Sequence, residues 1–489
     1  MKKLLLSLLV AFSGTAAMKA QLSCASPQNI ATNGTITAPA ITGTFQAGCW
    51  APGATPTAIW YTYTAILNGE VTISSDLPIN VAPTYSIDTR LSIFTGATCA
   101  ALTCYDGNDD VSSTNYKSRL TFPVQAGTKY YIVWDNRWSA LGFQFTFNFA
   151  PTACPRPSAL SVNNATDITT NSATLSWSNA IGNPASYDID YGPVGHTAGA
   201  GTIVNSTTTT KSLTSLPAST NIEYYLRSNC GGTQSGWTGP FDIYLAKTLP
   251  YANGFDNTTD PNDGFLFAGG FGLGDNAGYP QSGTLFAFSN TSATASNAWI
   301  FSRPISLAAN EQVTINFHSL LIPAAASQAN LRVTWGTSPT IAAQTNVAQT
   351  FNLTGSGTIS WTPRTATFTA TTAGLYYIGV NNSTPAVTTG GSLLVDSFNF
   401  TSVLSTKEFS ASTFSVYPNP SNGIVNISND SNYLLNSVNV MDLNGRTVKS
   451  VKLNGETSAA VNISDLSAGV YMMSINSDQG SVTKKIVKN

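Results

Sequence analysis

The chain has 489 residues, a formal net charge of −2 and only 9% charged residues. One hydrophobic core cannot serve that length, because domains usually hold about 100–200 residues, so three or four domains are expected. A near-neutral chain without a basic cluster is not expected to bind nucleic acid. Many Thr, Gly and aromatic residues and few helix formers favour strands and turns, so we predict an all-β fold of tandem β-sandwich domains.

Residues 1–20 have the pattern of a signal peptide. Lys2 and Lys3 precede an apolar run over residues 4–12, and small residues then lead to Ala20. Such a run is too short to span a bilayer and remain there. No later stretch approaches about 20 apolar residues, so no transmembrane segment is expected. Behind a signal peptide the six cysteines should form disulfides, for which sequence alone permits about 15 pairings.

Residues 22–150 form the first predicted unit, with alternating strands at 59–63, 71–73, 91–94 and 130–134. The order of its cysteines, strands and acidic turn resembles the pre-peptidase C-terminal jelly rolls that are appended to secreted bacterial peptidases. Within this unit we predict the disulfides Cys24–Cys49 and Cys99–Cys104.

Residues 154–248 form the second unit, which resembles a fibronectin type III domain. Trp177 on its second strand and the run 222–230 carry the resemblance, and the even positions of that run should face the core. Ile222 stands where the family has its corner tyrosine. A variant of this family in exported bacterial proteins implies a disulfide between Cys154 and Cys230.

Residues 249–402 form the third unit. The strand W-I-x-S-x-P-I-x-L at 299–307 and the V-D-x-F strand at 395–398 resemble the cleaved adhesin domain, a jelly roll related to MAM-like modules. Ser397 stands where that family usually has a second acidic residue. Residues 403–413 read as a polar linker.

Residues 414–489 form the last unit, in which short strands alternate apolar and polar residues. Asn444-Gly445 predicts a hairpin with a type I′ turn, which needs positive φ at both residues. The YPNPSNG opening, the LNGR turn, the LSAGVY strand and the KKIVK end resemble the C-terminal sorting domain of the type IX secretion system over roughly residues 407–489. The positions that match the motifs are Tyr417, Pro418, Asn419, Pro420, Gly469, Tyr471, Lys484, Lys485 and Lys488.

The sorting resemblance implies a route and a destination. The family's domain engages the type IX machinery, guides export through the outer membrane and is commonly removed. The remainder is then released or joined to surface lipopolysaccharide. We therefore expect a secreted or outer-membrane surface protein, reached after signal-peptide cleavage and passage through the periplasm.

Catalytic motifs are scarce. The only histidines, His196 in a Gly-rich loop and His318 at the end of a strand, are expected to be structural. Neither G-x-S-x-G nor H-E-x-x-H occurs. We therefore expect no enzyme activity, although a pair of carboxylates could in principle serve a glycosidase.

Crowded carboxylates make two candidate metal sites. Asp106, Asp109 and Asp110, with Asp88 as a further member, would suit Ca²⁺, which binds about 6–8 oxygen ligands. Asp256 and Asp396 form the second candidate, since a jelly roll can bring both ends of the third unit together. The alternative for the first is a solvated turn stabilised by its own Asp, Asn and Gly residues.

Trp134, Arg137 and Trp138 follow one another around the end of a strand. A Trp face beside polar groups suits a sugar ring, so Arg137 and Trp138 are candidate ligand contacts. In the alternative, Trp134 belongs to the core and Trp138 covers a sheet edge.

Together these features predict an exported, non-catalytic protein for adhesion or for binding a glycan or a host or extracellular protein. No cofactor is required, and Ca²⁺ is possible. The alternatives are a secreted peptidase or glycosidase with an unrecognised catalytic domain, and a passive surface spacer.

Overall fold

A computed structural model gives the fold of most of the chain, and it confirms the predicted all-β class. The residues it describes are 22–46, 48–49, 56–112, 114–159, 165–257, 260, 262–276, 278–322, 327–355, 359–404, 414–429 and 433–489. The predicted signal peptide and residues 405–413 of the predicted linker lie outside them. The chain divides into two compact units, Met1–Ser402 and Val403–Asn489, and the first holds three modules.

The first module is a sandwich of two sheets. Its strands are β1 (Gln28–Asn29), β2 (Gly34–Ala38), β3 (Ala58–Thr64), β4 (Gly69–Ser74), β5 (Arg90–Thr95), β6 (Thr103–Asn108), β7 (Arg119–Val124), β8 (Lys129–Asp135) and β9 (Phe143–Pro151). One sheet has the order β1-β3-β8-β5-β6 and the other β2-β9-β4-β7. Alternate residues such as Tyr61 and Phe145 face the shared core, whereas Trp60 packs with cysteines on the outer face of the five-stranded sheet.

Two of the three predicted disulfides are wrong. The first module contains Cys24–Cys99 and Cys49–Cys104, not bridges between cysteines that are neighbours in sequence. The segment before β3 covers the outer face of the sheet and carries Cys24 and Cys49 to the turn and strand that hold the other two. Cys154–Cys230 is confirmed in the second module.

The second module pairs a three-stranded with a four-stranded sheet. Its strands are β10 (Ala165–Thr166), β11 (Ala173–Ser176), β12 (Ser186–Pro193), β13 (Thr202–Ser206), β14 (Thr210–Leu213), β15 (Asn221–Asn229) and β16 (Thr238–Tyr244). The sheet orders are β10-β11-β14 and β13-β12-β15-β16. Ile222, Tyr224 and Leu226 face the core beside Trp177, which confirms the predicted inward face of that strand.

The third module is a sandwich of two larger sheets. Its strands are β17 (Tyr251–Asn253), β18 (Leu266–Ala268), β19 (Phe271–Gly274), β20 (Phe286–Thr291), β21 (Ala298–Phe301), β22 (Ile305–Leu307), β23 (Glu311–Ile322), β24 (Gln328–Gly336), β25 (Asn346–Thr354), β26 (Thr362–Thr369), β27 (Gly374–Asn382) and β28 (Gly391–Leu404). One sheet runs β19-β20-β28-β23-β26, with β17 beside β28, and the other β18-β21-β27-β24-β25, with β22 beside β27. The first two residues of the predicted linker therefore belong to β28.

Buried and half-buried charged side chains join the three modules. Arg156 donates to Glu70 of the first module at 3.0 Å and to the Trp237 carbonyl of the second at 3.0 Å. Arg303 of the third module, fully buried, donates to Asn221 of the second at 2.7 Å. These contacts give the junctions a defined geometry.

The last unit packs two small sheets around an apolar core. Its strands are β29 (Phe414–Tyr417), β30 (Ile424–Asn429), β31 (Leu435–Met441), β32 (Thr447–Glu456), β33 (Ser458–Asn462), β34 (Gly469–Ser477) and β35 (Gly480–Lys488). The sheet orders are β29-β30-β33 and β32-β31-β34-β35. The predicted hairpin exists between β31 and β32, but its type I′ turn is wrong, because only Gly445 of the Asn-Gly pair has a positive φ, 79°. The Asp442 N–H donates to the Arg446 carbonyl and closes a longer loop.

Candidate functional site

Three strand ends meet at one edge of the first module's five-stranded sheet. Arg90 at the start of β5 pairs with Asp135 at the end of β8, and Leu91 pairs with Asn108 at the end of β6. Because β5 runs antiparallel to β6 and β8, its first residue lies beside the last residues of both neighbours. The residues just before β5 and just after β6 and β8 are therefore brought together. Those residues are Asp88, Asp109, Asp110 and Trp138.

Asp88, Asp109 and Asp110 form one carboxylate cluster. One oxygen from each lies within 4.8 Å of the others. Asp88 and Asp109 are half-buried and Asp110 is exposed. Oδ1 of Asp88 is shielded from solvent and has no hydrogen-bond partner among the described residues. Hard, crowded oxygen donors of this kind fit Ca²⁺.

The electrostatics of the cluster favour either a proton or a cation. Burial, together with the nearby Asp110 and Asp109 charges, raises the pKa of Asp88 to about 6. Burial also raises the pKa of Asp109, although the Trp138 indole opposes this. Asp110 has its pKa raised by burial and by Asp109. A bound divalent cation would offset this mutual repulsion.

The structure does not bring Asp106 to this cluster, so the prediction that included it is wrong on that residue. Asp106 is 4% exposed, and its Oδ1 accepts the Gly107 N–H at 2.8 Å. Burial raises its pKa to about 7, although the Gly107 N–H bond and the charge of Arg156, at the junction with the second module, oppose this. Alternate residues of a strand face opposite sides, and Asp106 faces inward.

Trp138 joins the two predicted sites into one. Its indole Nε1–H donates to both carboxylate oxygens of Asp109 at 3.2 Å, and 54% of the residue is exposed. The Arg137 guanidinium lies 4.7 Å from the ring centroid. Trp134 is fully buried in the core, as the alternative interpretation of these tryptophans predicts. An exposed aromatic face therefore stands directly beside the carboxylates.

A buried ion pair fixes the loop that presents Trp138. Arg90 Nε lies 2.9 Å from Oδ2 of Asp135, and both side chains are almost wholly buried. Asp135 Oδ1 also accepts the backbone N–H of Arg137 at 2.9 Å. The loop is thus held from beneath, which limits the conformational entropy that a ligand contact would cost.

Exposed apolar side chains on the neighbouring loops were not predicted. Backbone bonds tie these loops together, from Ser86 to the Gly142 carbonyl at 3.0 Å and from Thr89 to the Tyr116 carbonyl at 3.1 Å. The exposed apolar residues on the loops that carry the cluster are Ile79, Val81, Ile87, Tyr116 and Leu141. Composition alone gives no signal for them, because apolar residues near strand ends are normally assigned to a core.

Asp256 and Asp396 do lie near one another, as predicted from the jelly-roll topology. Asp396 Oδ2 accepts the N–H groups of Gln281 and Ser282 at 2.9 and 3.1 Å. Asp256 Oδ1 accepts those of Thr284 and Leu285 at 2.7 and 3.1 Å. These carboxylates hold the loop 281–285 against β28, so much of their acceptor capacity is already used. A metal at this position stays a prediction.

The two histidines have local contacts. His196 Nδ1 lies 3.0 Å from the Pro193 carbonyl, and its Nε2 lies 3.3 Å from the buried Asp190. These contacts hold the loop between β12 and β13. His318 lies on β23 with a buried Nδ1.

The predicted sorting motifs meet in the last unit. The Asn419 amide donates to the Lys485 carbonyl at 2.9 Å, and its Oδ1 accepts the Val487 N–H at 2.8 Å. The YPNP opening is thereby fixed to the basic final strand. Tyr471 donates to the Ser467 carbonyl at 2.9 Å. Tyr417 is exposed.

Residues 415–489 match the family described as the secretion system C-terminal sorting domain. This match confirms the predicted sorting domain and indicates an exported protein. None of the helical segments in the described part of the chain has the length and apolarity that a bilayer crossing requires. No curated protein sequence matches the chain.

Several solved β-sandwich domains are similar to parts of the chain. The K1 cleaved adhesin domain of Lys-gingipain from Porphyromonas gingivalis W83 is 12% identical, with 31% of this chain and 97% of that chain covered and a TM-score of 0.26. The xylan-binding CBM22-1 domain of Paenibacillus barcinonensis Xyn10C is 14% identical, covering 32% and 98%, with a TM-score of 0.23. The CBM6 domain of Zobellia galactanivorans LamC is 12% identical, covering 28% and 98%, with a TM-score of 0.20.

Proposed function

We propose that this chain is an exported, non-catalytic surface or secreted protein that binds glycans. The glycan lies against Trp138, at the edge of the first module's five-stranded sheet, and Ca²⁺ lies in the neighbouring cluster of Asp88, Asp109 and Asp110. The type IX machinery delivers the protein through the C-terminal sorting domain. The first, second and third modules are of the pre-peptidase C-terminal, fibronectin type III and cleaved adhesin or MAM-like kinds.

One observation carries this proposal: the Trp138 indole donates to Asp109, a member of the carboxylate cluster. A cation held by Asp88, Asp109 and Asp110 fixes the Asp109 carboxylate, which in turn fixes the indole. The exposed ring then offers a flat apolar face to a sugar ring, and Arg137 and the remaining carboxylate oxygens offer hydrogen bonds to its hydroxyls.

The test is a glycan array probed with residues 22–404 in 2 mM Ca²⁺ (about a saturating level for an extracellular site) and again in EDTA. We expect glycans that bind only with Ca²⁺, and loss of that binding in Trp138→Ala. Trp237→Ala is the matched control, because Trp237 also lies against an arginine, with Arg227 4.3 Å from its ring centroid. It lies in the second module, away from the cluster.

The outcomes separate the alternatives. The site would be refuted if none of the bound glycans needed Ca²⁺ and none were lost with the Trp138 substitution. An array without any bound glycan would leave a protein ligand or a spacer role as the better account. Hydrolysis of an arrayed glycan would support the hydrolase alternative.

A further inference from the structure

A cleft of about 800 Å³ lies between the second and third modules. One wall comes from β10 and β16 of the second module, and the other from β18, β27 and the turn at Ser338 and Pro339 of the third. This volume is within the range of about 300–1,000 Å³ that is typical of ligand sites, which often lie between domains.

The floor of the cleft has a defined geometry. Arg303 Nη1 donates to Asn221 at 2.7 Å and to Asp263 at 2.8 Å. Its Nη2 donates to the Leu245 carbonyl at 2.5 Å. Lys247 adds a bond from its backbone N–H to the Pro304 carbonyl at 2.9 Å. The two walls are therefore joined by charged and backbone hydrogen bonds, so a ligand need not order them.

A buried donor in the floor is unused. Arg303 is 0% exposed and lines the cleft. Its Nε has no hydrogen-bond partner among the described residues. A buried N–H without an acceptor is costly and is normally satisfied by a partner, so Nε indicates a place for a ligand oxygen or a water molecule.

An acceptor lines the same cleft. Asp242 pairs with no Lys or Arg in the part of the chain that the structure describes. Asp242 is exposed at the mouth of the cleft, and partial desolvation of its carboxylate, with the charges of Asp260 and Glu223, raises its pKa. The Tyr244 hydroxyl donates to its Oδ2 at the long distance of 3.5 Å. This carboxylate can accept hydrogen bonds from a ligand.

Aromatic and apolar surface lies among these polar groups. Tyr244 and Tyr377 line the cleft and are partly buried, and Leu266 beside them is 50% exposed. Flat apolar surface between a donor and an acceptor suits the C–H faces of a pyranose ring. Sugar hydroxyls can both donate to Asp242 and accept from Arg303, whereas an anionic ligand would be repelled by Asp242.

We propose that the cleft between the second and third modules is a second saccharide-binding site, for neutral oligosaccharides and independent of Ca²⁺. Asp242 accepts from the sugar hydroxyls, Arg303 Nε donates to a sugar oxygen, and Tyr244 and Tyr377 pack against the ring. This site is separate from the one at the first module and does not depend on it.

The test uses the full chain carrying Trp138→Ala, in EDTA, so that the first-module site is silent. An array of neutral oligosaccharides of glucose, galactose, mannose and xylose is the probe, followed by calorimetric titration of the strongest binder. We expect at least one to bind, and Asp242→Asn to weaken it by about tenfold or more, as for loss of a hydrogen bond to a charged group. Asp275→Asn is the control, because Asp275 is exposed elsewhere on the third module and should leave binding unchanged.

A second measurement does not depend on how the variants fold. Carbodiimide labelling of carboxylates, read by mass spectrometry, should show that the bound saccharide protects Asp242 but not Asp275. If no neutral oligosaccharide binds the Trp138→Ala chain in EDTA, the inference fails while the first-module site can still stand. The inference also fails if Asp242 labels equally fast with and without the saccharide. If binding persists in the Trp138→Ala chain in EDTA and is lost with Asp242→Asn, the cleft stands, whatever the outcome at the first-module site.

Discussion

Removing one negative charge from the first-module cluster should stabilise the protein without Ca²⁺ and destabilise it, relative to wild type, when Ca²⁺ is bound. Asp110→Asn removes two of the three repulsive pairs among oxygens that lie within 4.8 Å. Each pair costs about 1 kcal/mol at the dielectric constant of water and about 3.5 kcal/mol at an effective value of 20. Because Asp110 is exposed, the lower figure applies. The variant should then be more stable than wild type by roughly 1–2 kcal/mol in EDTA.

Calcium should reverse that order. At a Ca²⁺ concentration 100 times Kd, wild type gains about 2.7 kcal/mol, and Asp110→Asn loses most of this gain because one of three anionic ligands is missing. The assay is differential scanning calorimetry of the full chain, following the transition of the first module. A change of 1 kcal/mol shifts Tm by about 3–5 °C for a domain of this size.

The pH dependence should reverse in the same way. Since the pKa of Asp88 is raised to about 6, its folded form keeps a proton that the unfolded chain has released above about pH 3.9. Stability in EDTA should therefore fall as pH rises from 5 to 7. The gain from Ca²⁺ should grow over the same interval, because the ion displaces that proton.

A control separates the cluster from general charge effects. Asp76 pairs with Lys117 at 3.2 Å and Arg119 at 2.7 Å, so Asp76→Asn should lower Tm equally in EDTA and in Ca²⁺. If Asp110→Asn shows the same offset in both conditions, the cluster is a solvated turn and the electrostatic reasoning is refuted.

Three further predictions concern other parts of the chain. Peptide mapping without reduction should recover Cys24–Cys99, Cys49–Cys104 and Cys154–Cys230. Loss of the third bridge, with a sequence separation of 76, should cost about 4.5 kcal/mol in the chain-entropy model; a free thiol in the oxidised protein would contradict the pairing. Deletion of residues 407–489 should leave the protein in the periplasm, and normal arrival in the medium or at the surface would refute the sorting role. Asn419→Ala should lower the unfolding free energy of the last unit by about 1–2 kcal/mol, measured by urea denaturation, and an unchanged midpoint would show that its two bonds to the final strand are not stabilising.

Alternation along strands made much of the fold predictable. In the runs at 59–63 and 222–226, alternate side chains face the core as the alternation of the sequence predicts. Successive residues of a strand point to opposite faces, so the apolar set can face only one side. The disulfides of the first module were not predictable in the same way. They depend on where the segment before β3 crosses the sheet and brings Cys24 and Cys49 to Cys99 and Cys104. The prediction paired Cys99 with Cys104 because they are close in sequence, and no local pattern shows the crossing.

The candidate site was predictable in its residue types but not in its membership. The Asp-Gly-Asn-Asp-Asp turn indicated crowded carboxylates, and strand pairing then determined that Asp88 joins them and that Asp106 does not. The bond between Trp138 and Asp109 depends on the register of β8 against β5 and of β5 against β6, which no local pattern encodes. The Asn-Gly hairpin shows the same limit, since the pair predicted the reversal but not the length of the loop.

The most direct test of the central claim is the coupling between Ca²⁺ and glycan at the first module. The Kd of an array-selected glycan is measured by titration calorimetry at several Ca²⁺ concentrations, and the Kd of Ca²⁺ is measured with and without that glycan. If the carboxylates and Trp138 form one site, each ligand should tighten the other by the same factor, since coupling free energy is reciprocal. A glycan affinity that does not change between EDTA and saturating Ca²⁺ would contradict the account.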